Sequence, residues 1–151
     1  MKAIQSLVVS AALAIGMATP ALAAQSDPEV LIYRFPLVLD DLFAATVFGC
    51  TNFSGATENI RMVTRSANGA LATNQVFSIA HLATISVSTH SPMAYFAQPM
   101  NTGVLSQGTT AIAATSINVI CTAVSIDVEA KAPVGVALRG IRFNPAPGSQ
   151  E

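Results

Sequence analysis

The sequence predicts an all-β domain, built as a single antiparallel β-sandwich of about seven or eight strands. About a quarter of residues 24–151 are Val, Ile or Thr, whose β-branched side chains suit a pleated, half-buried surface. Turn-forming residues interrupt the apolar runs at short intervals, which is typical of sandwiches and barrels made of short strands. Charged residues are only 10% of the chain and apolar residues 52%, which excludes disorder as the dominant state.

Residues 1–23 predict a secretory signal peptide. Lys2 precedes the apolar run 7–17, and Ala21-Leu22-Ala23 supplies the small residues that signal peptidase requires. The run is shorter than the roughly 20 residues that span a bilayer, so a membrane anchor is the weaker alternative. We therefore expect cleavage after Ala23, a β-sandwich domain over residues 24–144, a flexible tail over 145–151, and a product in the bacterial periplasm or outside the cell.

The first half of the domain contains the strongest local signal, a hairpin turn at Asn68-Gly69, because both residues accept positive φ. Pro36 lies inside the first apolar run, which favours an edge strand or a bulged one. The strands predicted in this half are Val30–Leu39, Leu42–Thr51, Asn59–Arg65 and Ala70–Ile79.

The second half shows cleaner alternation of apolar and polar residues. Ile85 and Val87 alternate with Ser86, Ser88 and His90, which predicts that the three polar residues face outward. The strands predicted here are Thr84–His90, Thr109–Thr115, Asn118–Glu129 and Val134–Phe143. In the third of them strict alternation places Cys121 on the face of Asp127, which predicts either a β-bulge before Val124 or a cysteine near the surface.

Cys50 and Cys121 are the only cysteines of the chain, and an even count in an exported protein predicts a disulfide between them. A redox or metal role is the alternative, but there is no C-x-x-C motif. One bridge between an early and a late strand resembles the immunoglobulin-like sandwich, in which the bridge joins the two sheets. The chain has no Trp to pack on the bridge, and Val119 stands where that fold places a Tyr, so the resemblance concerns architecture alone.

Charge is distributed unevenly along the chain. The net charge is −1, which excludes a nucleic-acid binder or a polybasic membrane anchor. From Ser66 to Ile126, 61 residues contain no Lys, Arg, Asp or Glu, and only His81 and His90 titrate near neutral pH. Uncharged strand edges recruit other strands. Two interpretations remain open: a Ser- and Thr-rich surface with covered edges, or a surface that contacts a partner or another copy.

Catalytic chemistry has little support in the sequence. A hydrolase would draw on His81 or His90 with Asp40, Asp41 or Asp127, but no G-x-S-x-G motif is present. A periplasmic copper-handling protein is the better alternative, because His90, Met93 and Met100 offer imidazole and thioether ligands within one predicted loop. We expect no cofactor and no enzymatic activity.

The sequence therefore predicts an exported, non-catalytic module that associates with a protein partner or with itself. The predicted contact residues are polar outer-face positions and two aromatic residues in the loop that follows. Aromatic side chains among small polar ones provide binding anchors, and the alternative is that these two pack into the core. These residues are Ser86, Ser88, His90, Tyr95 and Phe96.

Overall fold

The computed structural model describes residues 28–92, 94–131 and 134–143. The predicted signal peptide, the predicted tail and Met93 lie outside these residues. The described ranges form ten β-strands and no helix: β1 Val30–Asp40, β2 Ala44–Asn52, β3 Glu58–Ser66, β4 Leu71–Ile79, β5 Thr84–Ser88, β6 Gln98–Pro99, β7 Leu105–Ala114, β8 Val119–Asp127, β9 Gly135–Leu138 and β10 Ile141–Arg142. The all-β prediction is confirmed. These ranges contain no helix that could cross a membrane.

The strands form one strongly curled sheet, or half-barrel. Its order is β4-β3-β7-β1-β2-β5-β6, with β8 also bonded to β2, β9 to β8, and β10 to β1. All pairs are antiparallel except β5 with β6. β1 and β2 meet at a single residue pair, Asp40 with Ala45, so the sheet folds sharply there. We call β4-β3-β7-β1-β10 the first half-sheet and β6-β5-β2-β8-β9 the second half-sheet.

The main core contains residues of both half-sheets. Phe35 of β1 and Phe48 of β2 are 1% and 0% exposed, and their rings meet edge to face with centroids 5.6 Å apart. Ile60 and Ile112 of the first half-sheet and Val119 of the second belong to the same buried cluster. Burying each such side chain contributes about 1.5–3 kcal/mol, so this shared core holds the curled sheet closed.

The predicted disulfide is confirmed, but its position differs from the immunoglobulin pattern. Cys50 of β2 and Cys121 of β8 are bonded, with Cα atoms 4.1 Å apart, and both are buried. They are direct cross-strand partners, in a register that runs unbroken from Ala44–Asp127 to Asn52–Val119. The bridge therefore connects neighbouring strands of the second half-sheet, and it does not join the two half-sheets.

The predicted bulge in β8 is wrong, and so is a surface position for the bridge. Val119, Cys121 and Ala123 face the main core, whereas Ile126 and Val128 belong to a second cluster with Ala45 and Val47. Because the strand has buried residues on both faces near its end, the apolar positions change parity without any irregularity in the pairing. Alternation predicts a bulge here only if one face is assumed to be exposed throughout.

The turn predictions are confirmed in part. Gly69 has φ 84° and its N–H bonds the carbonyl of Ser66, so the chain does reverse between β3 and β4, although only the glycine has positive φ. The pairing of β1 shifts register between Pro36 and Val38, which agrees with the bulged strand predicted from Pro36.

The single strand predicted over 134–143 is wrong. It divides into β9 and β10, which belong to different half-sheets, and Gly140 at the crossing lies against the Phe35 ring, where a Cβ atom would clash.

Candidate functional site

The predicted contact residues lie at the end of β5 and in the segment after it, but the structure exposes only some of them. Phe96 is fully exposed, at 106% of its reference area, and His90 is exposed as well. Tyr95 is partly buried and packs on the second cluster. Ser86 is half-buried. Tyr95 therefore anchors the segment after β5 on the second cluster, whereas Phe96 projects into solvent. The segment forms neither an open groove nor a flat layer on the sheet.

The outward position predicted for Ser88 is wrong. Its side chain is 0% exposed, and its hydroxyl has no hydrogen-bond partner within the described residues. Ser88 pairs with Val47, a member of the second cluster on which Tyr95 also packs. The alternation of β5 thus predicts two faces correctly, but the second face is covered at this end of the strand.

His90 lies beside Asp40, which the sequence analysis considered only as a candidate catalytic residue of a hydrolase. Its Nδ1 lies 3.4 Å from Oδ1 of Asp40, and Asp40 is 6% exposed at the end of β1. The other carboxylate oxygen, Oδ2, accepts a short hydrogen bond from the Thr102 hydroxyl. The two residues meet because Thr89 bonds β1 and β2 at once: its hydroxyl donates to Leu39 O at 2.6 Å and accepts from the N–H of Thr46 at 2.9 Å.

A cavity of about 550 Å³ opens at this point. Its lining includes Asp40, Asp41 and His90, with Leu42 and Val104 at its edge. An imidazole beside a carboxylate is part of a hydrolytic triad. A triad also needs a hydroxyl on the other imidazole nitrogen, and none of the hydrogen bonds of the described residues supplies one. The pair therefore gives hydrolysis no specific support.

The copper set is not assembled within the described residues. Met100 is 0% exposed and belongs to the main core, and its carbonyl accepts hydrogen bonds from Thr73 and Gln75. A thioether packed in the core fills space, which is the commoner role of methionine. The described residues also include no group of three His, Cys, Asp or Glu that would hold a metal ion. His81 has another contact, since its Nδ1 accepts the N–H of Gly55 at 3.0 Å.

The most distinctive surface is apolar, and sequence reasoning missed it. It surrounds the tip of the β1–β2 hairpin, and we call it the hairpin surface. Its five large side chains are all more than half exposed: Leu37 57%, Leu42 78%, Phe43 68%, Val104 85% and Val136 72%. Leu37, Phe43 and Val136 line one shallow trough of about 400 Å³, and Leu42 and Val104 border the His90 cavity.

Local backbone chemistry fixes the tip of this hairpin. Asp41 accepts the N–H groups of Phe43 and Ala44 on Oδ1 at 2.8 and 2.7 Å, and its own N–H bonds Ala44 O at 2.9 Å. This turn presents Leu42 and Phe43 to solvent before β2 begins. An Asp side chain often forms a turn by bonding the backbone two residues on, as Asp41 does here. The strand predicted over Leu42–Thr51 nevertheless included Leu42.

Leu37 reaches the hairpin surface through an unfavourable backbone conformation. Its φ is 58°, in the left-handed region that branched, bulky residues avoid, and it lies at the register shift between Pro36 and Val38. Such conformations cost about 1–3 kcal/mol and persist where the surrounding structure enforces them, which is common at binding sites. The bulge turns an apolar side chain outward, and 57% of it remains exposed.

Charge around the hairpin surface is acidic. Asp41 lies at the edge of the His90 cavity and Asp127 lines the trough beside Phe43. The strongest ion pair of the described residues is elsewhere: Arg61 donates to both carboxylate oxygens of Glu29, at 2.5 and 3.1 Å, and this hydrogen bond, with the attraction between the two charges, raises the pKa of Arg61. The hairpin surface is therefore apolar at its centre and negatively charged at its rim.

The chain was compared with protein-family models, with curated proteins and with solved structures, and nothing matches in any of the three comparisons.

Proposed function

We propose that this chain is an exported, non-catalytic module with an immunoglobulin-like sandwich architecture, and that it works by associating with a protein partner or with a second copy. The carrying observation is the hairpin surface, where five large apolar side chains are exposed at one end of the fold. Single exposed apolar residues are normal, but neighbouring ones that line a common trough are typical of protein interfaces.

The sandwich assignment is supported by the way the sheet folds. The two half-sheets share only the pair Asp40–Ala45, and the edge-to-face contact of Phe35 with Phe48 lies between them. Two stacked sheets with a common apolar core define a β-sandwich. The bridge between neighbouring strands is the main departure from the immunoglobulin pattern.

Export is supported by the cysteine pair and by the amino-terminal sequence. Disulfides persist in oxidising compartments such as the periplasm and the extracellular space, and Cys50 and Cys121 are bonded in a buried position. Residues 1–23 carry the signal-peptide pattern. A periplasmic or secreted module is the location that agrees with both observations.

The chemistry of the hairpin surface indicates the kind of partner. Phe43 and Leu42 project from a turn whose backbone Asp41 holds by hydrogen bonds, so little loop entropy is lost on binding. The acidic rim formed by Asp41 and Asp127 favours a protein surface with an apolar hollow and basic residues around it.

The test compares two exposed phenylalanines at opposite ends of β2. Phe43 precedes the strand and Phe53 follows it, about 30 Å away at 3.3 Å per residue. Mature protein carrying Phe43→Ser or Phe53→Ser is immobilised and used to capture and identify proteins from the periplasmic fraction of the native cells. The captured protein is then purified and its Kd measured against each variant. We expect Phe43→Ser to raise the Kd at least tenfold and Phe53→Ser to leave it unchanged. Equal Kd values for the two variants would overturn the proposal.

A further inference from the structure

β4 is an open edge of the first half-sheet. Its nine residues, Leu71–Ile79, pair with β3 alone. The other terminal strands in the described ranges are short: β6 and β10 have two residues each and β9 has four. Pro99 also blocks extension at β6. Among the described residues, β4 is thus the one long strand with a side that pairs with no other strand.

The pairing of β3 shows which backbone groups of β4 are free. The backbone N–H and C=O of Asn59 both bond Thr115, on the β7 side. Because these groups alternate along a strand, Ile60, Met62 and Thr64 turn theirs toward β4. Their partners on β4 are Phe77, Gln75 and Thr73. Asn74 and Val76, between these partners, and Ser78, beside Phe77, turn their N–H and C=O groups away from the sheet. Ala72 lies at a register shift between Thr73 and Leu71.

From Thr73 to Ile79 nothing in β4 protects this free ladder, and the one register shift with β3 lies before Thr73. Natural edge strands are commonly protected by Lys, Pro, a bulge or a covering loop. β4 contains no charged residue and no Pro or Gly, and its register with β3 is unbroken from Ile79 to Thr73. Asn74, Val76 and Ser78 are exposed, and no hydrogen bond of the described residues reaches the outward backbone groups.

The inner face of β4 is fixed in place. The Thr73 hydroxyl and the Gln75 amide both donate to the carbonyl of Met100, at 3.0 and 2.8 Å. Phe77 packs against the main core, and Ile79 is buried in it. The edge is therefore held in an extended conformation before any partner arrives, which lowers the entropic cost of adding a strand.

We propose that β4 pairs antiparallel with β4 of a second copy, about a two-fold axis at Gln75. In this register Asn74 and Val76 of each strand meet Val76 and Asn74 of the other, which forms about four hydrogen bonds. Ser78 meets Ala72, which lies at the register shift, so up to about eight hydrogen bonds form in all. A second copy is the occupant because the axis matches Asn74 and Val76 to one another and β4 lies inside the uncharged stretch 66–126. The Arg61 guanidinium reaches Asn74 at 3.1 Å, but its charge is paired with Glu29. This pairing deepens the self-association part of the proposed function and uses a strand outside the hairpin surface.

A cysteine at the axis tests the register. In the proposed dimer Gln75 opposes Gln75 of the second copy as a non-hydrogen-bonded pair, with Cα atoms about 4.5 Å apart. Cys50 and Cys121 are bonded at a similar separation, 4.1 Å. We expect Gln75→Cys to form a covalent dimer under mild oxidation. The control Asn74→Cys opposes Val76, so its thiols lie too far apart to bond, and we expect at least tenfold less dimer. Equal cross-linking of the two variants, or none in either, would overturn the pairing.

Sedimentation of variants without added cysteine separates this proposal from the hairpin surface. We expect the mature wild-type protein to dimerise reversibly, Val76→Lys to raise the dimer Kd at least tenfold, and Ile120→Lys, at a residue of matched exposure on β8, to leave it unchanged. A dimer dispersed by Phe43→Ser but not by Val76→Lys would refute β4 pairing while supporting the hairpin surface. A wild-type protein that stays monomeric at millimolar concentration would refute β4 pairing alone. Gln75→Cys that cross-links to a different protein in preference to itself would refute the second copy as occupant.

Discussion

Asp40 and His90 lie at the ends of β1 and β5, with Oδ1 and Nδ1 3.4 Å apart, at the base of the cavity beside the hairpin tip. Asp40 is buried and also accepts the Thr102 hydroxyl, whereas His90 is half exposed, with 49% of its side chain accessible. The carboxylate therefore organises this end of the fold, and the imidazole adds a contact that water screens.

The two residues should differ in their contribution to stability. Asp40→Ala removes the hydrogen bond from the Thr102 hydroxyl to a buried carboxylate and leaves that hydroxyl only the longer contact with Gly103 O at 3.2 Å. We expect the free energy of unfolding to fall by about 1–3 kcal/mol. His90→Ala removes an exposed ionic contact, and we expect a loss below about 1 kcal/mol. Urea unfolding of both variants checks this. A larger loss for His90→Ala than for Asp40→Ala would contradict the assignment.

The disulfide should supply a large share of the stability. The bonded cysteines are 71 residues apart. Closing a loop of that length lowers the entropy of the unfolded chain and so raises its free energy by about 4 kcal/mol. We expect the double variant Cys50→Ala/Cys121→Ala to lose about 2–5 kcal/mol in urea unfolding. Wild-type protein measured in a reducing agent is the control and should show a similar loss. A double variant within 1 kcal/mol of the oxidised protein would be inconsistent with this role.

The main core should depend on Phe48, which lies at the contact between the half-sheets. Phe48→Ala removes a ring that is 0% exposed and packs against Phe35, and we expect a loss of about 3–5 kcal/mol. The control is Phe53→Ala. Phe53 is 51% exposed, so its loss should change the free energy of unfolding by less than about 1 kcal/mol. Thermal and urea unfolding measure both. Similar losses for the two variants would mean that the half-sheets do not share this core.

Leu37 should show opposite effects on stability and on association. Glycine adopts positive φ without the steric cost that Leu37 bears at 58°, so we expect Leu37→Gly to raise the free energy of unfolding by about 0.5–1 kcal/mol. The same change removes an exposed side chain of the hairpin surface, so the Kd for the partner should rise. Gly69→Ala, at φ 84°, is the converse control and should lower stability. An unfolding free energy that falls in Leu37→Gly would show that the bulge is unstrained.

Much of the fold follows from local sequence signals. The turn at Gly69, the strand character of β1 to β5 and the pairing of two cysteines each depend on residue type or on short-range alternation. The paths of β8 and β9 do not, because alternation reports burial on one face only. β8 has buried residues on both faces near Ile126, and the chain leaves β9 for the other half-sheet at Gly140, where the Phe35 ring permits no side chain.

The candidate site was less predictable than the fold. His90 was predicted on the outer face of the strand Thr84–His90 and Phe96 as a contact residue of the following loop, and both are exposed. The hairpin surface was not predicted, since Leu42 and Phe43 have the composition of a buried strand. Their exposure follows from the Asp41 turn and from the single pair that joins β1 to β2. Likewise, the Asp40–His90 contact depends on which strand ends meet, and this is a property of the topology.

The most direct test of association through the hairpin surface is photo-cross-linking in the cells that produce the protein. A photoreactive phenylalanine analogue replaces Phe43 in one variant and Phe53 in another, and the adducts are identified by mass spectrometry after irradiation. We predict a discrete adduct with one protein, or with a second copy, from position 43 and none from position 53. A probe at position 43 that reacts only with water, in folded protein with the disulfide formed, would contradict association through the hairpin surface.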